Sequence, residues 1–371
     1  MLFVSFLTLP TKFVIIKNQM NRVKLPDYFT TLKKGKVTLF IHKKYEAQLT
    51  EQDLNLLFGL YRDSNPRPSI PQSRVSSKVS FQGQESQETE FSASYHGRTP
   101  CKSIFLKSLN NGCFVVRDYW HGGLFGKVLR DIFWQGLRPI LELVICEKAS
   151  KEGIETIEIL AVIKNRVLGP FYKSKLISRE IKNSTDLMEL LLRYDHKTFC
   201  AQKREIISKV ALAIKELHKA GIYHADLNLK NILLQTASGG EFVVYIIDLD
   251  KSKQFSQLNP QRRMKNLMRL DRSLEKFKRK VLRENNFHQS CSLFITKGDK
   301  VRFLRDYLSC DDTRRPVAAV SPDGVEVMRK GPATDSFRNQ SKLLKISLKS
   351  YLSSHKTHRF WWWLADLSGK N

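Results

Sequence analysis

At 371 residues, with 42% apolar and 10% aromatic side chains, the chain can bury a sizeable core, which excludes a disordered polypeptide and fits one two-lobed enzyme or two small domains. Lysine and arginine number 63 against 36 acidic residues, a formal charge of +27 that exceeds what solubility demands, so an anionic partner is expected: nucleic acid, an anionic membrane surface, or a phosphorylated or carboxylated glycolipid. The six cysteines (Cys101, Cys113, Cys146, Cys200, Cys291, Cys310) form no C-x-x-C pair and no cluster with histidine, and they read as free thiols in a reducing cytosol.

The apolar opening, residues 1–17, is interrupted by Pro10 and Lys12 and is too short to span a bilayer; it reads either as a signal peptide or as an over-extended start, with Met20 opening a more ordinary N-terminus. Nowhere else is there an apolar run of ~18 residues. Residues 33–48 carry a short strand-like run and then a polar stretch that opens a helix through Leu57, together an N-terminal appendage to the main fold. Residues 63–95, rich in Ser, Gln, Pro and Glu, have the composition of a loop or linker and set a domain boundary.

From residue 103 two strand-like runs flank Asn110-Asn111-Gly112, a hairpin signal, and a helical region is expected from the end of His121–Lys127 to about Ser150. Two more strands follow, separated by Gly169-Pro170. Residues 183–186 supply N-cap side chains for a helix through Arg193. In the next helix Ile206, Val210, Ile214 and Leu217 share a face, and Gly221 stops it. The runs around residues 231–235 and 242–248 flank T-A-S-G-G-E as a β-hairpin. Residues 262–283 hold ten Lys/Arg against two acidic residues, with Leu267, Leu270, Leu274, Phe277 and Val281 at helical spacing: a helix packed through its leucines, whose basic face is either simply solvated or meets anionic headgroups and phosphates. Residues 310–340 are Pro/Gly-rich loop, and Phe360 with Trp361–Trp363 beside His358 and Arg359 are either core residues or an interfacial anchor.

Chemistry concentrates in His224-Ala225-Asp226-Leu227-Asn228-Leu229-Lys230-Asn231, followed by Ile246-Ile247-Asp248-Leu249-Asp250. Phosphoryl transfer needs one carboxylate against the attacking hydroxyl and two oxygen ligands against Mg²⁺, held by a short loop between a helix end and a hairpin. The segment resembles the protein-kinase H-R-D-L-x-x-x-N loop and D-F-G. Asp226 is then the catalytic carboxylate and Asn231 and Asp248 the metal ligands, with His224 orienting the loop.

The spelling H-x-D-L-N-x-x-N-I-L-L, then I-D-x-D, with the upstream Arg117-Asp118-Tyr119-Trp120-His121-Gly122-Gly123-Leu124, is similar to the 3-deoxy-D-manno-octulosonic acid (Kdo) kinase family of lipopolysaccharide-core kinases, over roughly residues 96–308. The resemblance implies an α+β, protein-kinase-like two-lobed fold with a small β-rich N-lobe and a larger helical C-lobe. Its expected divisions are 1–62 (extension and start of the N-lobe), 63–95 (polar insertion), 96–183 (N-lobe), 184–310 (C-lobe) and 311–371 (basic aromatic tail). It implies transfer of phosphate from ATP, with Mg²⁺, to the 4-hydroxyl of Kdo in lipid A–Kdo, by a cytoplasmic enzyme peripheral to the inner membrane and with no nucleic-acid partner. Asp250 stands where a protein kinase has glycine and is a further metal or loop-positioning candidate. There is no G-x-G-x-x-G; Gly97 and Arg98, in His96–Thr99, are the nearest phosphate-covering loop. Arg117 occupies the slot of the kinase lysine or is a surface strand-end arginine, and Glu142 is either its helix anchor or a solvated charge. Two further readings stay open: a heptose kinase or RIO-like protein kinase on the same fold, and an inactive kinase-fold module binding membrane or nucleic acid.

Overall fold

The computed structural model describes residues 25–61, 94–95, 101–110, 112–121, 131–193, 196–237, 239–283 and 295–309. The polar insertion up to residue 93, Gly97, Arg98, the aromatic tail and the N-terminal apolar stretch lie outside the described residues. Two compact units are present, one taking in residues to Cys146 with Ile157–Glu180, the other Glu147–Thr156 and the chain from Ile181 onward. The fold is α+β, with the sheet in the first unit and most helix in the second. No helix among the described residues is long and apolar enough to cross a membrane.

The first unit is built on one antiparallel sheet. Its strands are β1 (Phe29–Lys34), β2 (Val37–His42), β3 (Ser94–Tyr95), β4 (Cys101–Leu106), β5 (Gly112–Asp118), β6 (Phe133–Trp134), β7 (Ile159–Leu168) and β8 (Phe171–Arg179). Their spatial order is β1-β2-β7-β8-β5-β4-β3, with β6 also paired to β8. The run Ile159–Ile163 is buried throughout, as a central strand covered on both faces requires. Leu39 and Ile41 of β2 alternate into the same core, joined by Tyr45 from helix α1 (Lys43–Glu46) and Leu57 from α2 (Glu51–Gly59). Residues 29–42 are therefore part of the sheet: β2 pairs directly with β7, Val37 opposite Asn165. Thr50 and Asp53 form a reciprocal capping box that starts α2.

The hairpin around Asn110 forms with a wider turn than Asn-Gly alone suggests. A 3-10 turn, Lys107–Leu109, precedes Asn110, which takes the left-handed conformation, and Leu106 pairs across to Gly112. Where one helix is expected up to Ser150, the chain first makes β6 and a turn at Gln135-Gly136, both at positive φ. Helix α3 then runs Arg138–Lys151, with Pro139 in its first turn where a missing N–H costs nothing.

In the second unit Ser184–Asp186 form β9, and Asp186 caps helix α4 (Leu187–Arg193) by accepting the Glu189 N–H at 2.8 Å. Helix α5 (His196–Lys219) buries Ile206, Val210, Ile214 and Leu217. After β10 (Ile222–Tyr223) come β11 (Ile232–Thr236) and β12 (Phe242–Ile246), paired antiparallel as a hairpin, then β13 (Lys253–Gln254) against β10. Helix α6 (Pro260–Arg283) buries Leu267, Leu274, Phe277 and Val281, leaving Leu270 half-buried. A Thr296/Asp299 capping box opens α7 (Lys297–Leu308).

Gly221 joins α5 to β10 at φ +76°, and a Cβ there would lie 2.1 Å from the Phe255 carbonyl oxygen, which belongs to the chain that pairs back onto this turn. Gly221→Ala should therefore destabilise the protein by at least about 2 kcal/mol, through left-handed strain and that clash. Urea denaturation measures it, and a change below about 0.5 kcal/mol would mean that the turn moves aside.

Candidate active site

The loop from β10 to β11 is short, and its own backbone cannot satisfy all its polar groups. His224, fully buried, does much of that work. Its Nδ1 accepts the Asp226 N–H at 3.0 Å, so Nε2 carries the proton and donates to the Ile247 carbonyl at 3.0 Å. One imidazole thus ties the residue carrying the proposed catalytic carboxylate to the peptide preceding Asp248. Burial holds the His224 pKa below its ordinary value, which keeps this neutral tautomer in place.

Asn231 sits at the end of a single 3-10 turn, Leu229–Asn231, capped by the Asn228 side chain accepting from the Lys230 N–H at 2.9 Å. Its Nδ2 donates to the Asp226 carbonyl at 2.9 Å, and the Asn228 amide donates to the same oxygen at 3.1 Å. Spending Nδ2 in this way leaves the Asn231 amide oxygen as the group suited to a cation. The Asp226 side chain is exposed. Asp248 is half-buried and adopts φ +59°, a left-handed conformation that a non-glycine residue holds only when its surroundings enforce it. Asp250 follows two residues on, also half-buried, and Ser252 turns its Oγ to accept the Ala225 N–H at 3.2 Å.

Helix α6 holds this loop from behind. Asn266, fully buried, accepts the His224 N–H on Oδ1 at 3.1 Å and donates Nδ2 to the His224 carbonyl at 2.7 Å, pairing with the residue as one peptide group pairs with another. Two turns along the same face, Ser273 Oγ accepts the Leu229 N–H at 3.3 Å. Because Oδ1 only accepts, His218 Nε2, 3.0 Å away, must be the donor to it. His218 Nδ1 is then an acceptor for the Tyr307 hydroxyl at 2.7 Å. Burial pushes His218 down to about 4 and Tyr307 up to about 12, so both stay neutral and the hydrogen bonds keep one direction from α7 to the loop.

In the first unit Arg117 on β5 forms an ion pair with Glu142 on α3. The Glu142 carboxylate is fully buried and also accepts the Tyr119 hydroxyl at 2.6 Å, while Arg117 Nη2 lies 3.2 Å from that hydroxyl. Arg117 and Arg138 both stack on the Tyr119 ring, at 5.1 and 5.3 Å. Burial, reinforced by the Glu142 charge, drives the Tyr119 pKa far up, so the phenol remains a donor. The Arg117 side chain is 21% exposed.

The structure thus gathers Asp226, Asn231 and the His224 link to Asp248 in one unit, and Arg117 with Glu142 in the other; Gly97 and Arg98 fall outside the described residues. Sequence reading passed over Asn266, Ser273, Ser252 and the roles of Tyr119 and His218. A signal existed for Asn266, an amide adjoining Leu267 inside an apolar helix stripe. Among the described residues no group of three or more His, Cys, Asp or Glu is placed to hold a metal.

The profile described as "Lipopolysaccharide kinase (Kdo/WaaP) family" matches residues 98–307. A 3-deoxy-D-manno-octulosonic acid kinase of Vibrio vulnificus is 30% identical over 178 residues, covering 47% of this chain and 69% of the relative. That of Photobacterium damsela subsp. piscicida is 33% identical over 194 residues, covering 50% and 75%. A solved structure titled "WaaP in complex with acyl carrier protein" aligns with TM-score 0.41 at 18% identity, covering 70% of this chain and 87% of that one.

Asn266→Asp keeps the acceptor for the His224 N–H but removes the donor to its carbonyl, so kcat of the folded enzyme should fall at least roughly tenfold, with about 1–3 kcal/mol of stability lost. Steady-state kinetics paired with denaturation decide it; normal kcat and stability would show that the loop holds itself. With the matched profile spanning 98–307 and the catalytic loop, Arg117 and Glu142 all inside it, the chain belongs to the lipopolysaccharide kinase (Kdo/WaaP) family and is an ATP-dependent phosphotransferase.

Proposed function

We propose that the chain is a Kdo kinase, transferring the γ-phosphoryl group of ATP to the 4-hydroxyl of Kdo in lipid A–Kdo at the cytoplasmic face of the inner membrane. The observation that carries the reading is the coupling through His224: the N–H of Asp226 and the carbonyl before Asp248 hang on one ring, so an acid-base carboxylate and a metal-binding carboxylate keep a set separation. Two relatives of at least 30% identity carry the Kdo kinase name, which supports the choice of acceptor.

Asp226 orients the acceptor hydroxyl and takes its proton as the new oxygen–phosphorus bond forms and the bond to the β-phosphate oxygen breaks, releasing ADP. Asn231 and Asp248 would hold Mg²⁺: an amide oxygen and a carboxylate are hard donors that suit it, and too few to bind it without nucleotide phosphates. When bound, the ion neutralises charge on the β- and γ-phosphates. Asp250 is a second-ligand or loop-positioning candidate. Arg117, braced by Glu142 and Tyr119, would bind nucleotide phosphate oxygens through its planar guanidinium. Glu142 keeps the guanidinium aimed, since a buried carboxylate without its partner is costly, about 3–5 kcal/mol. The +27 charge favours an acceptor bearing carboxylates and phosphates over a neutral sugar.

Incubating the purified chain with ATP, Mg²⁺ and lipid A–Kdo, then mapping the added phosphate by mass spectrometry and NMR, tests the reading. Phosphate on the Kdo 4-hydroxyl is the expected result, and phosphate only on heptose or protein would replace it. Asp226→Asn should abolish transfer while ATP binding stays nearly intact, and wild-type turnover in that variant would remove Asp226 from the mechanism. Arg117→Ala should raise KM for ATP or lower kcat at least roughly tenfold, about 1.4 kcal/mol of transition-state stabilisation, with Arg117→Lys keeping part of the activity. Normal kinetics in Arg117→Ala would move the phosphate anchor elsewhere.

A further inference from the structure

Three turns meet at one end of the eight-stranded sheet. The Arg166 N–H bonds the Lys36 carbonyl at 2.9 Å, which sets the β1–β2 turn, Lys34-Gly35-Lys36, against the far end of β7. The chain then passes through Val167, Leu168, Gly169 and Pro170 into Phe171, which pairs with Trp134 of β6. The Gln135 N–H closes onto the Pro170 carbonyl at 2.6 Å, and Arg166 Nε ties off the turn by donating to the Gly169 carbonyl at 2.9 Å. Leu168 is 76% exposed, Trp134 52% and Val167 39%, and the Trp134 indole meets the Phe171 ring edge-on at 5.5 Å. Beside them Lys34, Lys36 and Arg166 are exposed, and residues 33–36, 133–136 and 164–171 contain no acidic residue.

A single exposed leucine needs no explanation, but adjacent turn tips that together expose leucine, valine and tryptophan mark a contact surface. We propose that this end of the sheet is a membrane-contact surface for an anionic bilayer. Leu168, Val167 and Trp134 enter the headgroup region, and Lys34, Lys36 and Arg166 meet the lipid phosphates. Charge complementarity favours a bilayer over a protein partner: the patch is cationic with no acidic residue within it, its tips are turns that can dip into an interface, and tryptophan sits well at the headgroup level. It deepens the proposed function by naming the face of the enzyme that meets the membrane bearing its acceptor, and it rests on that reading only for its biological sense.

Flotation of the full chain with vesicles that contain no acceptor tests it separately from the kinase reading. Vesicles of phosphatidylethanolamine and phosphatidylglycerol should bind the wild-type chain, with binding that weakens as salt rises, and neutral phosphatidylcholine vesicles should bind it far less. Leu168→Asp and, independently, Trp134→Ala should lower partitioning at least roughly tenfold for the first and severalfold for the second. Val301→Asp, the same charge change at a 64% exposed site on α7, should lower it only about fivefold or less. All three variants should phosphorylate an acyl-free Kdo oligosaccharide at the wild-type rate, which shows them folded. Equal losses in Leu168→Asp and Val301→Asp would reduce the effect to net charge and overturn the proposal. Wild-type flotation of both Leu168→Asp and Trp134→Ala would overturn it as well. A wild-type chain that ignores vesicles but loses self-association in Leu168→Asp would assign the patch to a second copy instead.

Discussion

The constraint on which the catalytic unit depends is that a buried peptide must have hydrogen-bond partners. The residue that begins the catalytic loop presents an N–H and a carbonyl to the interior, where water does not reach and an unmade bond costs about 1–3 kcal/mol. A side-chain amide carries a donor and an acceptor side by side and can meet both, and Asn266 is placed to do so. Once that pairing is made, His224 is held, and from it the positions of Asp226 and of the peptide before Asp248 follow. The loop is rigid because a helix on the other side of it completes its hydrogen bonding, and the left-handed backbone at Asp248 is tolerated inside that frame. The long basic helix, which composition marks chiefly as a charged surface, is on its inner side the scaffold of the site.

The first unit solves a different problem by electrostatics. A carboxylate with no solvent exposure is expensive unless it is paired and hydrogen-bonded, and Glu142 is both, through Arg117 and the Tyr119 hydroxyl. The stacked Arg138 adds a second cation over the same phenol. The result is a guanidinium whose orientation is determined before any ligand arrives, so that little ordering remains to be paid on binding.

What the sequence made legible was local. The spacing from His224 to Asn231, the apolar stripe of α5, the glycine at its end and the β11–β12 hairpin are written within a few residues of one another, and each is present. What stayed hidden was long-range. The clamp of Asn266 on His224 joins residues 42 apart and that of Ser273 on Leu229 joins residues 44 apart, distances at which no periodicity speaks. Residues 33–48 looked like an appendage because the partner of β2, β7, is more than a hundred positions downstream in the chain. β6 was missed for another reason: two residues are too few to alternate, and its existence depends on Tyr172 and Phe171 across the ladder. The pairing of Arg117 with Glu142 lay between these cases, open to expectation only through family resemblance.

The arginine at position 117 also has a consequence for chemical biology. Reagents that profile nucleotide-binding enzymes by delivering an acyl group to an active-site amine depend on a lone pair that a lysine can expose. A guanidinium remains protonated throughout the physiological range, and here a carboxylate further secures its charge. At position 117 such reagents would meet a guanidinium and no amine. Dicarbonyl reagents, which condense with guanidines, are the matching chemistry.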